Sequence, residues 1–170
     1  MAIIKSVRGF TPVFGTNCFL ADNAVVVGEV TLGNNCTVWF NAVVRGDVHA
    51  ITVGDNSNIQ DGAIIHCTYQ KAKTVIGSNV SIAHAAVVHG CTLGDNVLVG
   101  MGAIVMDDVV VGSNSVIAAG AVVLSGTIIE PGSVYGGMPA RKLKDIGPEM
   151  LEVIARTARN YPMYAKWYDQ

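Results

Sequence analysis

The chain has 170 residues, enough for one domain with a buried core; 51% are hydrophobic, 14% charged and 6% aromatic. A formal net charge of −2 gives no basic field for nucleic acid or anionic lipid, and no apolar run approaches the roughly 18 residues of a membrane span. The opening Met1-Ala2-Ile3-Ile4-Lys5 has neither the apolar segment nor the cleavage site of a signal peptide, so the expected compartment is the cytoplasm.

Residues 1–13 read as a lead-in. From Phe14 an aliphatic or aromatic residue recurs every six positions, at Leu20, Val26, Leu32, Val38 and Val44. The spacing resumes at Val53, Ile59 and Ile65, then at Ile76, Ile82 and Val88, and runs from Leu93 to Tyr135. Four positions after most of these stands a small or β-branched residue, such as Cys36, Ala42, Ala63, Ala86 or Ala103. A fixed period of six is that of the hexapeptide β-helix. A second period lies over it. Gly-x-Asn triplets open every third hexad, at Gly15, Gly33, Gly54, Gly77, Gly94 and Gly112. Glycine and asparagine tolerate the left-handed backbone of a sharp corner, so three hexads make one triangular coil. The phase survives interruptions at 50–52 and 71–75 and a shortening near Thr92, and gives roughly seven coils stacked at ~4.8 Å. The expected architecture is an all-β parallel helix over 14–140, followed by a helical tail over 141–170 in which Pro148 opens a helix and Pro162 kinks or interrupts it. The aromatic residues of that tail have to pack along the solenoid or across to a neighbour. The cysteines Cys18, Cys36, Cys67 and Cys91 show no CxxC spacing and read as buried thiols.

Hexads three apart share a face, one coil from each other. Arg45, His66 and His89 each follow a core position on the same face, so they form an outward ladder. Two imidazoles ~4.8 Å apart at the backbone can lean onto one metal at a Zn–N distance of ~2.0–2.1 Å. His84 stands above Asp61 and Phe40 on a different face, and side chains on two faces of a prism diverge. It can meet the pair only on a second chain, and closed symmetry then predicts a trimer with metal sites at its interfaces. His49 has no such alignment and is expected in a loop after Asp47.

Arg45-Gly46-Asp47, Asn58-Ile59-Gln60-Asp61-Gly62, His66 and the pair His84-x4-His89-Gly90 together resemble the gamma-class carbonic anhydrases and their relatives, over the whole chain. The resemblance implies a left-handed β-helix and a homotrimer. It implies zinc, ferrous iron or cobalt held by His66 and His89 of one subunit and His84 of the next, with metal-bound hydroxide hydrating CO2 to bicarbonate. It also assigns Arg45 and Asp47 to a pair tying subunits together, Gln60 to orienting hydroxide or bicarbonate, Asp61 to the arginine network, and Tyr161 to an active-site position of the tail. The chain departs from the family pattern in two places. The loop after His66, Cys67-Thr68-Tyr69-Gln70-Lys71-Ala72-Lys73, lacks the acidic proton shuttle, and Val48 replaces a glutamate. Two other readings use the same scaffold: a coenzyme A-dependent hexapeptide acyltransferase with a histidine base, and a metal-dependent thioesterase. A third is an assembly subunit without useful activity.

Overall fold

The computed structural model describes residues 1–168. It is a parallel-strand solenoid of about seven turns with one helix after it. On the first face Phe14 pairs with Leu32, Leu32 with Val53, Val53 with Ile76, Ile76 with Leu93, and the row continues through Val111 to Ile129. The second face stacks Leu20, Val38, Ile59, Ile82, Val99, Ile117 and Tyr135. The third stacks Val26, Val44, Ile65, Val88, Val105 and Val123. These rows are the hexad positions read three apart, and their side chains fill the prism: Ile59, Ile65, Ile82 and Val99 are each at most 1% exposed. Burying one such side chain stabilises the fold by about 1.5–3 kcal/mol, so the repeat is held by the sum of many equal layers.

The corners follow the second period. Asn17, Asn35, Asn56, Asn79, Asn96 and Asn114 all have φ between 55° and 58°. Their amides form a ladder, with Asn35 Nδ2 donating to Asn56 Oδ1 at 3.1 Å and Asn96 Nδ2 to Asn114 Oδ1 at 3.0 Å.

The lead-in is less separate than its composition suggests. Ile3–Lys5 pairs in parallel with Val25, Val26 and Val27 and so begins the third face. At the far end the turn after Gly137 sends Ala140–Asp145 back antiparallel along Ser133–Gly137, and this strand closes the sheet before the helix begins. His49 is corrected as well: it lies within the continuous strand Val43–Val53 rather than in a loop. The extra residues at this point are absorbed by a bulge. Gly28 pairs with Gly46 and pairing resumes at Val30 with Ile51, so four residues of one strand stand against Glu29 alone.

The helix, α1, spans Pro148–Ala165 with Pro148 in its first turn. It runs on through Pro162, which therefore does not interrupt it. That proline lacks the N–H that would reach the Ala158 carbonyl, and the packing of Tyr161 on Trp39 and of buried Ala165 holds the helix across it. Ile154 packs with Val116 and Val134 of the late coils, whereas Tyr161 meets Trp39 of an early coil edge-on, with ring centroids 5.4 Å apart. The helix therefore runs back along the second face. Tyr168 joins Phe19, Trp39 and Phe40, so these tail aromatics pack along their own solenoid.

Candidate metal centre

His66 and His89 stand in direct register on the third face. Each follows a core residue, Ile65 or Val88, and strand alternation turns it outward. Their rings approach closely: His66 Nδ1 lies 3.1 Å from His89 Nε2. The remaining nitrogen of each ring points at a carboxylate. His66 Nε2–H donates to Asp47 Oδ1 at 3.0 Å, and His89 Nδ1–H donates to Asp107 Oδ1 at 2.5 Å. With each ring proton directed to its carboxylate, the two facing nitrogens are the ones left to bind a cation. Two donors on a tetrahedral zinc, at ~2.0–2.1 Å each, stand about 3.3 Å apart. The pair is thus set at close to the separation of two ligands, each backed by a carboxylate, as histidines on metals usually are.

The bulge explains how Asp47 arrives there. It carries the aspartate off the regular strand, where Asp47 also receives Arg45 Nη1. Asp107 was not among the residues singled out from the sequence. It lies two positions after the core residue Val105, at the corner of the coil above His89-Gly90, and counting corner positions as well as outward ones would have found it.

Electrostatics favour a neutral His66 ring and charged carboxylates behind the pair. Burial pushes the His66 pKa down, and the Arg45 charge adds to this against the opposing pull of Asp47, so the ring is a neutral donor. Burial acts to raise Asp47 and Asp107. The hydrogen bonds from Arg45 and His66 to the first, and from Thr68 and His89 to the second, outweigh it and hold both carboxyls below their usual value. A depressed carboxyl contributes stability that is present above its unfolded pKa and is lost as pH falls through the folded one. Metal-free protein is therefore expected to lose stability from about pH 4 downward. Asp47→Asn should flatten that part of the curve in urea titrations; an unchanged slope would mean Asp47 is not linked to folding.

The other predicted residues gather on the second face. His84 Nδ1 is 3.0 Å from Asp61 Oδ2. Gln60, 4% exposed, donates Nε2–H to Asn58 Oδ1 at 2.9 Å, and Asn58 in turn donates to Ser81 Oγ. Tyr161 lies beside them on α1, and burial, with the Asp61 charge adding to it, pushes its phenol up to about 12. Gln60, His84, Met101, Tyr161 and Tyr164 line an open groove of about 880 Å³ between α1 and the solenoid. Within one chain, then, Arg45, Asp47, His66 and His89 are brought together, and Gln60, Asp61, His84 and Tyr161 are brought together, on different faces. Among the described residues no cluster of three or more His, Cys, Asp or Glu side chains could hold a metal ion. All four cysteines are unpaired, and burial pushes Cys91 up to about 12.

A family profile described as bacterial transferase hexapeptide (six repeats) matches residues 11–46 and 90–125. A protein of Methanocaldococcus jannaschii named "Probable carbonic anhydrase" is 47% identical over 145 residues, which cover 85% of this chain and 91% of that protein. The "Gamma carbonic anhydrase 1, mitochondrial" of Arabidopsis thaliana is 40% identical over 160 residues; these cover 91% of this chain, which spans only 58% of that relative's length. Among solved structures, a hexapeptide transferase family protein from Anaplasma phagocytophilum is 37% identical, with a TM-score of 0.93 and 98% of both chains covered. No helix among the described residues is long and apolar enough to cross a membrane.

Proposed function

The chain belongs to the gamma carbonic anhydrase-like family of hexapeptide-repeat proteins, and from that premise we propose that it catalyses the reversible hydration of CO2 at metal sites shared between subunits of a homotrimer. The observation that carries this reading is the pair of ring nitrogens, His66 Nδ1 and His89 Nε2, facing each other at 3.1 Å with an aspartate behind each ring. His84 of the neighbouring subunit, braced by Asp61, would be the third ligand. A divalent cation held there, zinc or alternatively ferrous iron or cobalt, supplies Lewis-acid chemistry that brings the ionisation of a water near neutral pH for addition to CO2.

The chain's own residues do the rest. Three neutral imidazoles leave the charge of the cation undiminished. Gln60 is anchored through its nitrogen on Asn58, and its Oε1 is the acceptor that would fix the reacting oxygen's proton. Tyr161, kept as a phenol, is a donor at the rim of the groove. The loop at 67–73 carries no carboxylate, so the proton released on hydration leaves through buffer and turnover is slow. A cytoplasmic location belongs to the same proposal; the Arabidopsis relative is mitochondrial by name.

Arg45 is 45% exposed at its side chain and meets Asp47 through one nitrogen, which leaves donors of its fork for a neighbouring chain. The protein is expected to sediment as a trimer at micromolar concentration. Arg45→Ala should shift it toward monomer by at least tenfold in dissociation constant, and Cys67→Ala should not. A wild-type monomer that binds metal tightly would remove the interface from the reading.

The transferase description of the Anaplasma neighbour favours a second reading, acyl transfer from coenzyme A thioesters. Metal analysis of anaerobically purified protein, paired with a CO2 hydration assay, separates the two. About one divalent ion per chain and hydration above the metal-stripped control are expected. Metal-free protein that turns over acyl-coenzyme A would overturn the proposal.

A further inference from the structure

Two of four linked hydrogen bonds tie the segment after His66 to the coils above it. Thr68 Oγ1–H donates to Asp107 Oδ2 at 2.5 Å, and Asp107 Oδ1 accepts from His89 Nδ1 at 2.5 Å. Thr74 Oγ1–H donates to the carbonyl of His66 at 2.6 Å and accepts from Gly90 N–H at 2.9 Å. The segment is folded on itself by the antiparallel bridge between Thr68 and Ala72. Gly90 completes the arrangement. Its φ is +54°, and a Cβ placed there would lie 2.3 Å from Asp107 Oδ1 and 2.8 Å from Ala72 Cβ. The glycine is the notch through which the carboxylate reaches the ring.

We infer that Asp107 is the positioning residue of His89, that Thr68 positions Asp107, and that the loop at 67–73 is therefore a clamp which sets His89 with Nε2 as its free donor atom. This rests on the metal reading, but the clamp is a property of the polypeptide alone. Asp47 holds His66 on the strand side and Asp107 holds His89 on the coil above, so the two rings are braced from opposite ends and turned toward each other. Neither carboxylate touches the space between the rings. Where the loop could have carried a proton shuttle, it carries a hydroxyl spent on orientation. Bonds from outer partners of this kind typically change metal affinity 10–100-fold when removed.

The test uses full-length protein with 15N-labelled histidine, in wild-type, Asp107→Asn, Asp107→Ala, Thr68→Val and Thr68→Ser forms. In the metal-free wild type, NMR should report the neutral His89 ring with its proton on Nδ1. Asp107→Ala should release that tautomer, and zinc affinity, measured by chelator competition per folded chain, should fall 10–100-fold. Asp107→Asn keeps an acceptor without the charge and should fall less. Thr68→Val should weaken zinc binding severalfold, with Thr68→Ser restoring it. Because Thr68 acts through Asp107, the Thr68→Val, Asp107→Ala double variant should be no weaker than Asp107→Ala. Variants that fold, bind zinc as wild type does and keep the Nδ1–H tautomer would overturn the clamp and leave the metal reading standing. A wild type that binds no zinc would overturn the metal reading, and the metal-free tautomer comparison would still decide the clamp.

Discussion

Refolding His66→Ala and His84→Ala chains together in equal amounts should restore metal to about one quarter of the sites, although each variant alone is metal-poor. The reason lies in how the faces divide the ligands. His66 and His89 stand on the third face in direct register, and His84 stands on the second face against Asp61. A His66→Ala chain spoils the two-histidine half of its own site yet still offers an intact His84. A His84→Ala chain does the reverse. Each interface of a mixed trimer is complete only when a His84→Ala chain presents its pair to a His66→Ala neighbour, and two independent choices each succeed half the time. Losing one of three protein ligands leaves a catalytic zinc site incompetent, so activity should follow metal. Mixed trimers verified by mass that recover no metal would show that the third ligand is not lent across the interface.

Gly46→Ala should be among the most damaging single-methyl changes in the chain, costing about 3 kcal/mol. Gly46 lies between Arg45 and Asp47 at the point where the bulge begins, opposite Gly28. A Cβ there would lie 2.5 Å from the backbone oxygen of Glu29 and 3.1 Å from Val30 Cγ2. Backbone cannot swing aside as a side chain can, so the strand pair must separate. That separation moves Asp47 from His66, and zinc affinity should fall with stability. Gly120→Ala is the comparison. Its φ is +66° with nothing within 4 Å of the added carbon, so only the left-handed backbone cost of about 1–2 kcal/mol is expected. Denaturant titration of both variants measures the difference; equal losses would show that the close approach at Gly46 is relieved without moving the strands.

The period of six determined the rows of the solenoid by itself. Each coil must place its aliphatic residue over the one below to exclude water, so counting hexads yields Ile59 over Val38 and Ile82 over Ile59 as reliably as coordinates do. The same counting put His66 under His89 and His84 above Asp61, since an outward residue inherits the register of its core neighbour. Where the repeat breaks, counting stops informing. The four residues facing Glu29 could have looped outward as coil, yet His49 stays in a strand, Arg8 reaches the Asp47 and Val48 carbonyls, and Asp47 turns toward His66. Asp107 and Thr68 are 39 residues apart, and no local preference marks either as a partner of the other. The course of α1 and the return of Ala140–Asp145 along the last coil were likewise settled by tertiary contact: Ile154 needed Val116 and Val134, Tyr161 needed Trp39, and an open sheet end needed a strand to pair with. Periodicity fixes backbone register because every coil repeats the same packing problem, whereas the reach of a side chain out of an irregular segment depends on contacts that occur once.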